Sequence, residues 1–239
     1  MKRDSLKPPS EKEKPMINNS SRNRLTSIFA TIGTSLLLAA QSQASVGTAI
    51  QLYNTGVNGI GGQLPNATAD SHYALISAPG AYATAYTGNG SDVYPWLADG
   101  PNSRWIGAST WLNEWLPSGN YVYRTTFDLS GMIPSSASIS LKLASDDVCD
   151  VFLNGVATGI ATSSFGFTNF SAFSITTGFI NGVNTLDFRV NNGDVPPSNR
   201  TGLRTELSGY AVIVPEPASA ALVGFGGILL VALRRKPSV

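Results

Sequence analysis

Cysteine and histidine, the side chains behind most nucleophilic and metal chemistry, occur once each in this 239-residue chain, as Cys149 and His72. A lone cysteine cannot close an intrachain disulfide, so packing alone must hold the fold. A histidine-ligated metal centre is excluded, and a Cys–His dyad would need the two single residues to meet. No Gly-x-Ser-x-Gly elbow accompanies His72, so a structural histidine with a local hydrogen bond is expected. Positive charge is scarce as well: between residues 45 and 214 six cations face eleven acids, a net charge of −5. That balance excludes nucleic acid as a partner on charge grounds. The same region has no long stretch with apolar residues at helical spacing, and Gly, Ser, Thr and Asn abound, so short strands and many turns are expected.

What the body lacks in long apolar runs, the two ends supply. Pro215-Glu216-Pro217 opens a run from Ala218 to Leu233 whose one polar member is Ser219, closed by Arg234-Arg235-Lys236. Sixteen residues at about 1.5 Å rise make roughly 24 Å of helix, slightly under a hydrocarbon core of about 30 Å. Gly224, Gly226 and Gly227 are tolerated in membrane helices, and the three cations hold the C-terminus in the cytoplasm, leaving everything before Pro215 outside. A buried helix of a soluble domain would carry a polar face, which this run lacks. A permanent tail anchor is the other alternative. At the N-terminus, Arg22 and Arg24 precede an apolar stretch from Leu25 to Ala40, and Ser42-Gln43-Ala44 offers small residues for signal peptidase, so cleavage between Ala44 and Ser45 is expected. A start at Met16 would give a signal of ordinary proportions. No arginine pair precedes the apolar stretch, which favours the general secretory translocon over twin-arginine export.

The C-terminal pattern resembles the PEP-CTERM sorting signal of Gram-negative bacteria. That resemblance implies recognition by an exosortase-type transpeptidase in the inner membrane, with the helix as a membrane anchor before processing. It places the mature protein in the cell envelope, at the surface or in the extracellular matrix.

Within the body, Tyr121, Tyr123, Thr125 and Phe127 alternate with Val122, Arg124, Thr126 and Asp128, a half-buried strand ended by Ser130-Gly131. Ile139, Leu141 and Leu143 alternate with Ser140, Lys142 and Ala144. Val148–Leu153 meets Asn154-Gly155, the pair best suited to a type I′ turn, and returns from Val156. Leu186, Phe188 and Val190 face inward opposite Asp187 and Arg189, and Leu203, Thr205 and Leu207 alternate with Arg204 and Glu206. Many short strands at such spacing read as an antiparallel sandwich. The Asp146-Asp147 strand, the Asn-Gly turn and Gly182-Val183-Asn184-Thr185-Leu186 are similar to landmarks of galactose-binding-like jelly rolls. The expected fold is therefore all-β: one antiparallel jelly-roll β-sandwich over residues 45–213, between a signal helix within 1–44 and a transmembrane helix within 214–239.

Four tryptophans, Trp96, Trp105, Trp111 and Trp115, fall in one short window. Exposed, they would make a sugar-stacking platform; buried, they would plug the core, and burial is expected at least for Trp105. Trp96, Trp111 and Trp115 are the candidate glycan contacts, with Asp146 or Asp147 accepting from sugar hydroxyls. The same acids could hold a structural Ca²⁺, but they lack the ordered spacing of a known calcium loop, and a solvated strand end or a turn-capping role is the plainer reading. No other cofactor is implied. A glycosidase needs two carboxylates about 5–9.5 Å apart. Asp146 and Asp150 on one strand face would stand about 13 Å apart and Asp147 points away, leaving only Asp187 with Glu206 to be placed. Cys149 shares its face with Val151 and Leu153 and reads as a buried, inert thiol. The sequence thus points to an exported, non-catalytic structural or carbohydrate-binding protein, with exopolysaccharide as candidate partner. A hydrolase of exopolysaccharide on the same scaffold is the alternative.

Overall fold

The computed structural model describes residues 47–193 and 198–214. The signal segment with its Ala44–Ser45 site, the Pro215–Pro217 motif, the apolar run and Arg234–Lys236 lie outside the described residues. Thirteen strands follow in order: β1 Thr48–Ala49, β2 Ala74–Ser77, β3 Tyr86–Thr87, β4 Ile106–Gly107, β5 Leu116–Pro117, β6 Gly119–Asp128, β7 Met132–Asp146, β8 Val148–Leu153, β9 Val156–Ala161, β10 Ser171–Ile175, β11 Val183–Asn192, β12 Ser198–Asn199 and β13 Gly202–Ile213. Among the described residues the helical content is a single 3₁₀ turn, Gly90–Asp92, and no helix is long and apolar enough to cross a membrane.

The strands form two antiparallel sheets, β10-β7-β13-β4-β3 with β1 beside β13, and β2-β6-β11-β8-β9; β5 and β12 make a separate two-stranded ribbon. Consecutive long strands change sheet, β6 to β7 to β8 and β9 to β10 to β11. The period-two pattern explains why they pack. Ile139, Leu141 and Leu143 of β7 and Leu203 and Leu207 of β13 share one core cluster with Tyr121, Tyr123 and Phe127 of β6, Leu186, Phe188 and Val190 of β11, and Cys149, Val151 and Leu153 of β8. Each such side chain contributes about 1.5–3 kcal/mol by leaving water.

The outward charges pair across the strands. Arg124 sits opposite Asp187 and Asp150 opposite Arg189 in the second sheet, and Lys142 opposite Glu206 in the first. Arg124 grips Asp187 with two bonds of 2.6 and 2.7 Å. That charge-assisted fork raises the guanidinium pKa.

Strand direction defines two ends. At one, Gly202 of β13 lies opposite Asp146 of β7, and β6 begins and β11 finishes there; this is the loop end. At the other, Ile213 lies opposite Met132 and Val183 opposite Asp128. The Asn154-Gly155 turn closes β8 and β9 at this second end with Leu153 opposite Val156. Both turn residues have positive φ, 52° and 77°, as the type I′ expectation required.

Candidate functional site

The site grows from the loop between β3 and β6. Trp105, fully buried, packs its ring 4.4 Å from that of Trp96. Gly90 makes the room, since a Cβ there would come within 2.4 Å of the Trp105 ring. Trp105 Nε1 donates to Leu97 O at 2.7 Å, and Trp96 Nε1 donates to Asp146 Oδ2 at 2.9 Å. Burial of Trp105 follows the expectation. Trp96 departs from the exposed set: it is 7% exposed, so it offers no face to a ligand and instead supports the loop end from beneath.

Asp146 also departs from its expected place. It is 6% exposed rather than a solvated strand end, because the tryptophan pair covers the end of β7. Burial first, then the neighbouring Asp147 carboxyl, push its pKa up to about 8, against the opposing pull of the Trp96 hydrogen bond and the Arg200 charge. At neutral pH Asp146 is therefore largely protonated, poorly suited to accept from a sugar. Asp147 does not point away from it. Half-buried beside Asp146, its Oδ2 accepts from Gly193 N at 2.7 Å and Asn199 Nδ2 at 3.4 Å.

Above this layer stands a short, braced loop. Leu112 is buried in a notch between Gly88 and Gly107, where Cβ atoms would lie 2.2 and 2.7 Å from its side chain. Glu114 N donates to Trp111 O at 3.0 Å, and Ser109 Oγ accepts from Trp111 N and donates to the Glu114 carboxylate. With Leu112 turned inward, Trp111 and Trp115 face solvent, 58% and 54% exposed. The β5–β12 ribbon pairs Leu116 with Asn199, which sets Trp115 beside Arg200. The Arg200 guanidinium lies 5.3 Å from the centre of the Trp115 ring and its Nε donates to Asn113 Oδ1. Asn192 ties the ribbon to β11 through bonds of 3.0 Å to Leu116 O and Pro117 O.

Trp111, Trp115, Arg200, Asn113 and Asp147 thus belong to one end of the sandwich. Arg200 and Asn113 escape a reading by strand pattern because both sit in loops. The available signal is that Arg124, Lys142, Arg189 and Arg204 fall within strands whereas Arg104 and Arg200 do not, which leaves two positions rather than one.

The remaining candidates lie elsewhere. Asp187 faces outward from the second sheet, bound to Arg124, and Glu206 faces outward from the first, bound to Lys142 at 3.0 Å and to Ser103 Oγ at 3.1 Å. They cannot flank one glycosidic bond. Among the described residues no three His, Cys, Asp or Glu side chains converge as metal ligands. Cys149 is buried, and burial raises its thiol pKa. His72 stacks on Tyr53 with ring centres 3.5 Å apart, and its buried Nε2 finds no partner among the described residues, against the expected local hydrogen bond. A groove of about 580 Å³ on the outer face of the first sheet is lined by Ser140, Lys142, Ser174, Glu206 and Ser208; it contains none of the tryptophans.

No protein-family model matches the chain, and no curated protein sequence matches it. Solved structures similar to it at low identity include the following three. CBM35 from Paenibacillus barcinonensis shares 14% identity over 58% of this chain and 94% of that one, with a TM-score of 0.33. A family 35 carbohydrate binding module from an environmental isolate shares 7% over 62% and 97%, at 0.33. The CBM36-1 domain of a multidomain xylanase from the hindgut metagenome of Trinervitermes trinervoides shares 12% over 54% and 88%, at 0.31. What the loop end can bind is decided by its own residues.

Proposed function

We propose that this is an exported cell-envelope protein, sorted through its C-terminal tail by an exosortase-type transpeptidase, whose jelly-roll body binds polysaccharide without cleaving it. The observation that carries the binding reading is the pair of exposed tryptophans on a braced loop. Exposing two indoles is unfavourable in water, and here Leu112, the Ser109–Glu114 bond and the β5–β12 ribbon hold them outward. A pyranose ring offers an apolar face to stack on such an indole and hydroxyls around its rim. Arg200 and Asn113 supply a donor and an acceptor beside Trp115, and Asp147 adds a carboxylate at the same end of the sandwich through Asn199, the combination an orienting site requires. Export and sorting are supported by the sequence alone: the apolar stretch before Ala44–Ser45, and Pro215–Pro217 followed by the apolar run and three cations. The non-catalytic reading is supported by the separation of Asp187 from Glu206 and by the engagement of each with a cation.

Affinity electrophoresis of residues 45–214 in gels containing the producer's exopolysaccharide tests binding. Retardation that Trp115→Ala relieves is the expected outcome. Unretarded wild-type protein would refute glycan binding and leave a structural role. Release of reducing ends from the same polysaccharide would instead establish the hydrolase.

A further inference from the structure

The end of the sandwich opposite the tryptophans is built differently. Val214, where the described body finishes, hydrogen-bonds Gly131 O at 2.8 Å, and Leu129 N reaches Gly182 O at 2.9 Å. The β6–β7 turn, the start of β11 and the chain exit therefore meet. Ile180, Val183, Ile213 and Val214 are each at least half exposed there, and Val156 stands beside the Asn154-Gly155 turn, whose Asn154 bonds Gly178 O and Asn184 Oδ1. Residues 128–132, 153–157, 176–184 and 209–214 contain one charged side chain, Asp128. The loop end, by contrast, carries Asp99, Glu114, Asp146, Asp147 and Arg200.

We infer that this exit end is a membrane-seating face, resting on the lipid surface that residues 218–233 enter. The inference relies on the reading above that this segment spans a bilayer before processing. Covalent reach selects the occupant. Four residue steps separate Val214 from Ala218, and at no more than about 3.6 Å each Val214, at the edge of the aliphatic end, cannot stand more than roughly 14 Å from the first apolar residue of the tail. The headgroup layer on one side of a bilayer is about 5–8 Å thick. Exposed Ile and Val side chains held at that distance meet lipid before they meet another protein, and the two charges near them, Asp128 and Glu216 of the linker, fall at the level of the polar headgroups rather than the hydrocarbon. The geometry also orients the molecule. β13 runs for twelve residues from the loop end to the exit, and at about 3.3 Å per residue it holds the tryptophan end roughly 36 Å away from the membrane.

The test uses the unprocessed full chain reconstituted into vesicles of phosphatidylethanolamine and phosphatidylglycerol. Val183→Cys, Ile180→Cys and, at the loop end, Thr110→Cys each receive an environment-sensitive fluorophore; Cys149 is fully buried and stays unlabelled. Lipids bearing a nitroxide near the headgroup should quench emission at positions 183 and 180 at least twofold and leave position 110 unchanged. Equal emission at both ends, from protein that floats with the vesicles, would overturn the seating face alone. Protein that fails to float would overturn the spanning tail and the seating face together. Shielding at position 183 that needs a high protein-to-lipid ratio would assign the face to a second copy of the chain and overturn the lipid assignment.

Discussion

Asp146 makes stability fall as pH rises, a direction opposite to that of an ordinary paired carboxylate. Its pKa moves from 3.8 to about 8 on folding, so between about pH 4 and 8 the native state holds a proton that the unfolded chain has released. Stability from this group is fully present below about pH 4, declines as pH rises through 8, and is flat above. A shift of about four units at roughly 1.4 kcal/mol each sets a ceiling of about 6 kcal/mol. Only the three units between pH 5 and 8 fall inside a pH 5–9 window, about 4 kcal/mol, and water entry and relaxation around the ionised Asp146-Asp147 pair reduce it further, so a loss of about 2–4 kcal/mol between pH 5 and 9 is expected. For a domain of this size that is roughly 5–15 °C in melting temperature. Asp146→Asn keeps an acceptor for Trp96 Nε1 and has no proton to lose, while Asp70, the other carboxyl raised by burial, titrates alike in both proteins. Calorimetric melts of wild type and Asp146→Asn across that range isolate the effect. A wild-type melting temperature that runs parallel to that of Asp146→Asn at every pH would refute the assignment of a buried, protonated carboxyl.

Four further outcomes are expected. Gly155→Val should cost about 1–3 kcal/mol from backbone strain alone, because its new side chain meets open space; an unchanged melt would contradict the left-handed turn. Trp115→Ala should weaken polysaccharide retardation by up to about tenfold through lost stacking while leaving the melting temperature within a few degrees, since the ring is half exposed. Leu112→Ala should destabilise by about 2–5 kcal/mol and also reduce retardation, because the notch between Gly88 and Gly107 would no longer fix the tryptophan loop. Intact-mass measurement of protein recovered from the cell surface should show a species ending near Pro215–Pro217; retention of Arg234–Val239 would leave a plain tail anchor.

The strands were legible because each long one alternates cleanly: Tyr121–Asp128, Ile139–Ala144 and Asn184–Val190 expose one face and bury the other, and Asn154-Gly155 admits few backbone geometries besides the turn it makes. The loop end was not legible in the same way. Whether Trp96 or Trp111 would be exposed depends on Gly90, Gly88, Gly107 and Gly202, whose missing side chains make the notches into which Trp105, Leu112 and Trp96 fit, and a glycine in sequence does not announce which distant ring will fill its space. Asp146 failed for a related reason. Strand alternation gives the direction of a side chain, but the cover over Asp146 comes from Trp96, fifty residues earlier, and that cover turns an apparent acceptor into a protonated, buried group. Arg200 was hidden because its partner Trp115 is local only through the β5–β12 ribbon, two residues on each side. Pattern therefore assigns the scaffold, whereas the site follows from contacts between loops whose register is fixed by the sheets beneath them, and a change in a buried loop anchor such as Leu112 should alter binding as much as a change in Trp115 itself.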